Sequence, residues 1–150
     1  MEDALLGHAR ITTLPGVCYF SVPCSFTEKQ PDGTYRPKRG IEPLFAARSL
    51  QIGAYSGRTA GGMTVDAGWR ENDGLVNTVS AAVPTGAPSK ALDKEKIEAG
   101  LWNVYPMLDG DHMWLQGGLV RRHDIRAFYP EMLEMIRRLP EQVQSHLRQL

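Results

Sequence analysis

Glu71-Asn72-Asp73-Gly74-Leu75-Val76-Asn77-Thr78 is the stretch on which the reading of this chain turns. It sets a carboxylate on a glycine turn. Further on, Asp109-Gly110-Asp111-His112-Met113-Trp114 sets an imidazole on another. An acid followed later by a histidine is the chain order of the back end of an acid–base relay. In such a relay the carboxylate holds one ring nitrogen in a fixed tautomer, and the other nitrogen takes a proton from a nucleophile. The two groups converge when both lie on loops at the carboxyl ends of neighbouring parallel strands. Taken alone, each half has a plainer reading. Asp-Gly is ordinarily just a turn, and a histidine after a strand is ordinarily a surface or hydrogen-bonded core residue. No Ser of the chain lies in a Gly-x-Ser-x-Gly frame, so the front end of the relay is missing.

Working outward, the segments around this pair read as mixed α and β. Pro15-Gly16 is a turn, and Val17-Cys18-Tyr19-Phe20-Ser21-Val22 is apolar on both faces, which suits a central strand of a covered parallel sheet ending near Pro23. Residues 25–40 form a polar excursion with a turn at Pro31-Asp32-Gly33. Glu42 to Gln51 reads as a helix with Leu44, Phe45 and Leu50 apolar, and Gly53 to Gly62 as a loop. Leu75 to Val79 reads as a short extended piece, Ala91 to Ala99 as a modest helix, and Leu101 to Tyr105 as a second strand. Asp124 is an N-cap candidate, followed by Ile125, Phe128, Tyr129, Met132, Leu133 and Ile136 at helical spacing, a stripe expected to pack as core. Pro130 is expected to kink or restart that helix, and Glu141 to Leu150 to form a separate short one.

Composition bounds the rest. The chain has 150 residues, enough for one domain with a core. Lys plus Arg and Asp plus Glu both number 17, so no net charge points to nucleic acid or an anionic membrane. No apolar run is long enough to span a bilayer, and Met1 to Leu6 lack the basic start of a signal peptide. The expectation is a cytosolic chain, or one whose N-terminus lies further upstream; the compartment stays open. Cys18 and Cys24 are expected to be small buried thiols, since on one straight strand they would be roughly 20 Å apart.

Three blocks carry a resemblance. Trp69 to Ser80 resembles the acid-loop motif of the thermoalkalophilic bacterial lipases and the staphylococcal lipases. Gly100-Leu101-Trp102-Asn103-Val104 followed by Asp111-His112, and then Asp124-Ile125-Arg126-Ala127-Phe128-Tyr129, resemble the same family in the same order at similar spacing. The similarity runs from Gly16 to Leu139 and is weak between Ser25 and Met63. It implies an α/β class chain: the C-terminal portion of an α/β-hydrolase fold, with a partial parallel sheet, flanking helices, an insertion over residues 25–70 and a helical region over 124–150. It implies further that Asp73 is the acid and His112 the histidine of a Ser-His-Asp triad, with acylglycerols or simpler carboxylic esters as substrates.

The chain departs from the family's pattern in three places. The family's nucleophile, oxyanion hole and zinc ligands would all lie before this chain begins. The calcium ligands of the family fall on Trp114 and about Leu119-Val120, with a backbone carbonyl matching Gly40. One carbonyl does not hold Ca²⁺, which takes about 6–8 oxygens, so no calcium and no other cofactor is expected. Pro130 interrupts a helix that is continuous in the relatives.

The reading is therefore the C-terminal part of a lipase, inactive alone, with Tyr55, Trp69 and Trp114 packing near the site or lining an acyl pocket. The alternatives are a non-catalytic pseudo-hydrolase or lipid- or protein-binding module, and a metal site built on Asp109, Asp111, His112, His123 and Asp124. The strands at Val17 and Leu101 are expected to have open edges that invite self-association.

Overall fold

The computed structural model describes residues 12–117 and 125–147. In chain order its strands are β1 (Tyr19–Ser21), β2 (Cys24–Ser25), β3 (Thr27–Lys29), β4 (Tyr35–Pro37), β5 (Gly57–Arg58), β6 (Thr64–Val65), β7 (Ser89–Ala91), β8 (Trp102–Val104) and β9 (Leu108–Asp109). The helices are α1 (Pro43–Ala54), α2 (Thr78–Ala82) and α3 (Ile125–Leu147).

A parallel sheet in the order β1-β8-β7 forms the frame, with Phe20 opposite Asn103 and Lys90 on its other side. The Val17–Val22 strand is thus parallel, but among the described residues it lies at the end of the sheet, and the Leu101–Tyr105 strand takes the centre. The expectation of an open edge at Leu101 is corrected for the same reason: β8 is paired on both sides. Just beyond the sheet, β2 and β9 pair in parallel and carry the two segments that follow β1 and β8 onward together. Alternation along β1 sorts its side chains. Cys18, Phe20 and Val22 join a core around Ile97, Tyr105 and Met135, covered by Phe128, Met132 and Leu139 of α3. Tyr19 stacks on Trp102 across the opposite face, and Ser21 Oγ bonds the Ala82 carbonyl there.

Several local expectations are overturned. Ala91 to Ala99 is not helical. Ser89–Ala91 is drawn alongside β8, and the following turn is claimed by side chains: Asp93 Oδ1 accepts from Glu95 N at 3.1 Å, while buried Asn103 bonds both the N–H and the carbonyl of Glu98. Leu75 to Val79 does not extend either. Its apolar residues Leu75 and Val79 are exposed, and the chain turns at Asp73 and enters α2. Pro130 does not break α3, which runs on as a single helix past Pro140 as well. The inner row Phe128, Met132, Met135 and Leu139 lies on both sides of Pro130 and holds one continuous register against the sheet. The expected stripe is split: Tyr129, Leu133 and Ile136 are exposed. The N-cap expected at Asp124 lies outside the described residues.

The insertion has structure of its own. β3 and β4 form a hairpin whose turn is set by Asp32, which accepts from the N–H and hydroxyl of Thr34 and whose carboxyl is held low by those bonds. α1 buries Phe45, Ser49 and Gly53, one face at helical spacing, and leaves Leu44 and Leu50 exposed. Gly53 is required there, because a Cβ would sit 2.0 Å from the Tyr35 carbonyl oxygen. Gly53 to Gly62 is not one loop: α1 continues to Ala54, and β5 pairs with β6 in a second hairpin.

Candidate active site

Asp73 sits on a loop pinned from several directions. Asn72 is fully buried and does most of the pinning. Its Nδ2 donates to the carbonyls of Arg70 at 2.8 Å and Ser49 at 3.3 Å, and its Oδ1 accepts from Gly74 N at 2.9 Å. Its own carbonyl accepts from Phe26 N at 3.0 Å, which fastens the loop to the chain leaving β2. Glu71 adds a bond from Ser25 Oγ at 3.0 Å. Gly74 has φ 98°, and a Cβ there would meet Phe45 Cβ at 2.6 Å. The loop therefore needs glycine on conformational and steric grounds together.

The carboxylate of Asp73 faces two ways. Oδ1 accepts from the N–H groups of Leu75 at 2.9 Å and Val76 at 2.7 Å, which builds the turn. Oδ2 lies 2.9 Å from His112 Nδ1, and the His112 backbone N–H donates to the Asp73 carbonyl, also at 2.9 Å. The two residues are 39 apart in sequence and clasp each other by side chain and by main chain. A carboxylate against Nδ1 makes that nitrogen the proton-bearing one and leaves Nε2 as the acceptor. Among the described residues Nε2 makes no hydrogen bond.

β9 delivers the histidine. Gly110 N bonds the Ser25 carbonyl at 3.1 Å, so the chain is held to β2 until two residues before His112. Phe45 of α1 then meets the imidazole edge to face, ring centroids 6.0 Å apart at 78°. The Asp73 side chain is 7% exposed and the His112 side chain 31%, so the acid is enclosed and the ring reaches solvent.

The other candidates are placed differently. Cys24 is buried beneath the pair, and its thiol is pushed up to about 11 by burial and then by the negative charges of Asp73 and Asp111. A thiol so disfavoured as thiolate is no nucleophile at neutral pH. Cys18 is raised by burial too, and both cysteines are free thiols. Asp109 pairs with Lys38, and Asp111 accepts backbone N–H groups, so the described members of the suggested metal set point to separate partners. His123 and Asp124 lie outside the described residues. Trp114, at the place of a calcium-ligating carboxylate in the resembling family, offers no side-chain oxygen and packs its indole against Phe128 and Gly110. Leu119 and Val120, the other places named for that ion, lie outside the described residues. Tyr55 is largely exposed, and Trp69 is half-buried at the end of a short 3-10 turn.

Sequence reasoning passed over Asn72, Phe45 and the role of Asp111. Asn72 carried a readable signal, since a short amide beside an Asp-Gly turn can bond its own backbone. Phe45 carried none, because its contact with His112 is purely tertiary.

No family model matches the chain. Solved structures do. The crystal structure of Staphylococcus hyicus lipase superposes with a TM-score of 0.78 at 22% identity, covering 93% of this chain and 36% of that one. EstA from Clostridium botulinum gives 0.75 at 25% identity over 89% of this chain and 33% of that one. Lipase 1 from Pelosinus fermentans gives 0.68 at 24% identity over 90% and 36%. The fold is therefore α/β-hydrolase-like, with a small parallel sheet and helices. More narrowly, it resembles part of these bacterial lipase structures, and the chain spans about a third of the length of the proteins it matches.

Proposed function

We propose that Asp73 and His112 are the acid and the histidine of a Ser-His-Asp triad for carboxylic ester hydrolysis. The observation that carries the reading is the bond of 2.9 Å between Asp73 Oδ2 and His112 Nδ1, with His112 on the loop leaving parallel β9 and Asp73 on a loop fastened to the chain that leaves its partner β2. His112 Nε2 acts as general base toward a serine hydroxyl and then as general acid toward the leaving alcohol. Asp73 fixes the tautomer and stabilises the imidazolium. Acylglycerols and simpler carboxylic esters are the substrate class, as the lipase-like fold and the lipases it matches suggest.

The 150-residue polypeptide by itself hydrolyses nothing. Losing the nucleophile of a serine hydrolase costs about 10⁶ in rate, roughly 8 kcal/mol, and no placement of an acid and a histidine restores that. Incubated with a fluorogenic short-chain ester and a serine-reactive phosphonate, it should show neither turnover nor label. Turnover abolished by His112→Ala would overturn the inactivity. The roles are tested separately by grafting residues 16–139 in place of the matched third of the Staphylococcus hyicus lipase. The graft should cleave the ester, and His112→Ala or Asp73→Ala should lower its rate by about 10⁴ or more. Undiminished rates in those variants would end the triad reading.

The chain also associates with itself through the outer edge of β1, which no other described strand covers. Light scattering should show a mass that rises with concentration, and a constant monomer mass would count against it.

A further inference from the structure

Asp111 is buried, immediately precedes His112, and has no part in the chemistry above. Its carboxylate accepts two backbone N–H groups. Oδ1 takes Met113 N at 3.1 Å, a local turn around the histidine. Oδ2 takes Glu42 N at 3.0 Å, and that bond spans 69 residues. Glu42 is the residue just ahead of α1 and makes no side-chain cap of its own. Its carbonyl accepts from Phe45 N at 2.8 Å, so the place of residue 42 fixes the first turn of α1. Phe45 in that turn meets the His112 ring edge to face, and its Cβ lies where Gly74 leaves room. A closed circuit results: His112, Asp111, Glu42, Phe45 and back to His112. Bonds to an ionised acceptor are about twice as strong as neutral ones, and here one of them joins two segments that the chain itself does not join.

We propose that Asp111 is a positioning residue for His112. Through the Glu42 N–H it clamps the start of α1 to the histidine loop, and so holds the Phe45 ring against the imidazole at the tilt where Nδ1 meets Asp73. The proposal rests on the reading of Asp73 and His112 as a working pair, and its test separates the two.

The test uses the whole chain and nuclear magnetic resonance, with two readouts. The first is the low-field Nδ1 proton of His112 and its exchange with water. The second is the nuclear Overhauser cross-peak between the Phe45 and His112 rings. Asp111→Asn keeps the shape but offers one acceptor oxygen for two N–H groups. Glu42→Pro removes the distant N–H alone, since residue 42 already has φ −53°, within the range proline adopts. Glu42→Ala keeps the N–H and controls for the lost side chain. Asp111→Asn and Glu42→Pro should weaken the ring–ring cross-peak at least about fivefold and speed Nδ1 proton exchange at least about tenfold, a change of 1.4 kcal/mol or more in protection. Glu42→Ala should behave as the unaltered protein. Both readouts unchanged in Glu42→Pro, or Glu42→Ala matching Glu42→Pro, would overturn the proposal. If Asp111→Asn does not fold, the Glu42 pair decides alone. If the unaltered chain shows no protected Nδ1 proton, the pairing of Asp73 with His112 has failed, while the ring–ring cross-peak still decides the clamp.

Discussion

Asn72 in the acid loop and Met135 on the inner face of α3 are both buried, yet they are held by opposite means. Asn72 makes three side-chain hydrogen bonds to backbone groups of three different residues, so its shape and polarity are both specified. Met135 has one weak polar contact, from Tyr105 Oη to its sulfur at 3.6 Å, and otherwise fills space between Ile97 and Tyr105. The acid loop is specified by direction and the helix by volume. Direction is what the proposed proton relay needs, because a carboxylate and an imidazole work only within a narrow range of distance and angle. Volume suffices for a helix whose task is to cover a sheet.

The contrast can be broken by substitution. Asn72→Ala should have the largest effect, about 3 to 4 kcal/mol in urea unfolding, because it leaves the backbone groups it bonds without that partner. A loss near 1 kcal/mol would mean that the loop is not held by these bonds. Met135→Ala should lose about 2 to 3 kcal/mol through the cavity it leaves, whereas Met135→Leu should stay under about 1.5. Equal losses from both would show that Met135 is specified by more than volume.

Cys24 sharpens the comparison, lying beneath the acid loop and feeling its charge. Its folded thiol titrates at about 11 against an ordinary 9.0. The unfolded thiol ionises first, so stability is fully present below pH 9 and falls until the folded thiol also ionises near 11. The decline should be about 2 kcal/mol across that window. It is shared with Tyr105, whose phenol is also raised by burial, so Cys24→Ala should lessen the slope without removing it. An unchanged slope would show that Cys24 does not carry it. The smallest effect is expected on the outer face of α3: Leu133→Ala, at an exposed position, should stay within about 0.5 kcal/mol.

Legibility followed the range of the forces. Val17 to Val22 and Leu101 to Tyr105 read as strands because continuous apolar runs persist where both faces of a sheet are covered. Asp73 and His112 stood out because each carries chemistry on a glycine turn, and the resemblance joined them. Ala91 to Ala99 misread as helix because its residues are compatible with one. Asn103, which takes the Glu98 backbone groups instead, becomes their neighbour only in the folded sheet. The stripe on α3 was legible as apolar, but which half would face inward depended on how the helix lies against β1 and β8.

By itself the sequence determined an α/β chain with two parallel strands, a structured excursion between them, and an acid and a histidine on separate turns. Those features are set by periodicity, glycine placement and residue chemistry, all of which act over a few neighbours. Only the tertiary structure decided that Asp73 and His112 touch, that Phe45 braces the imidazole, and that Asp111 reaches across to residue 42. Each of those contacts joins segments far apart in the chain, and a hydrogen bond or ring contact exists only once packing has brought both partners within a few ångströms.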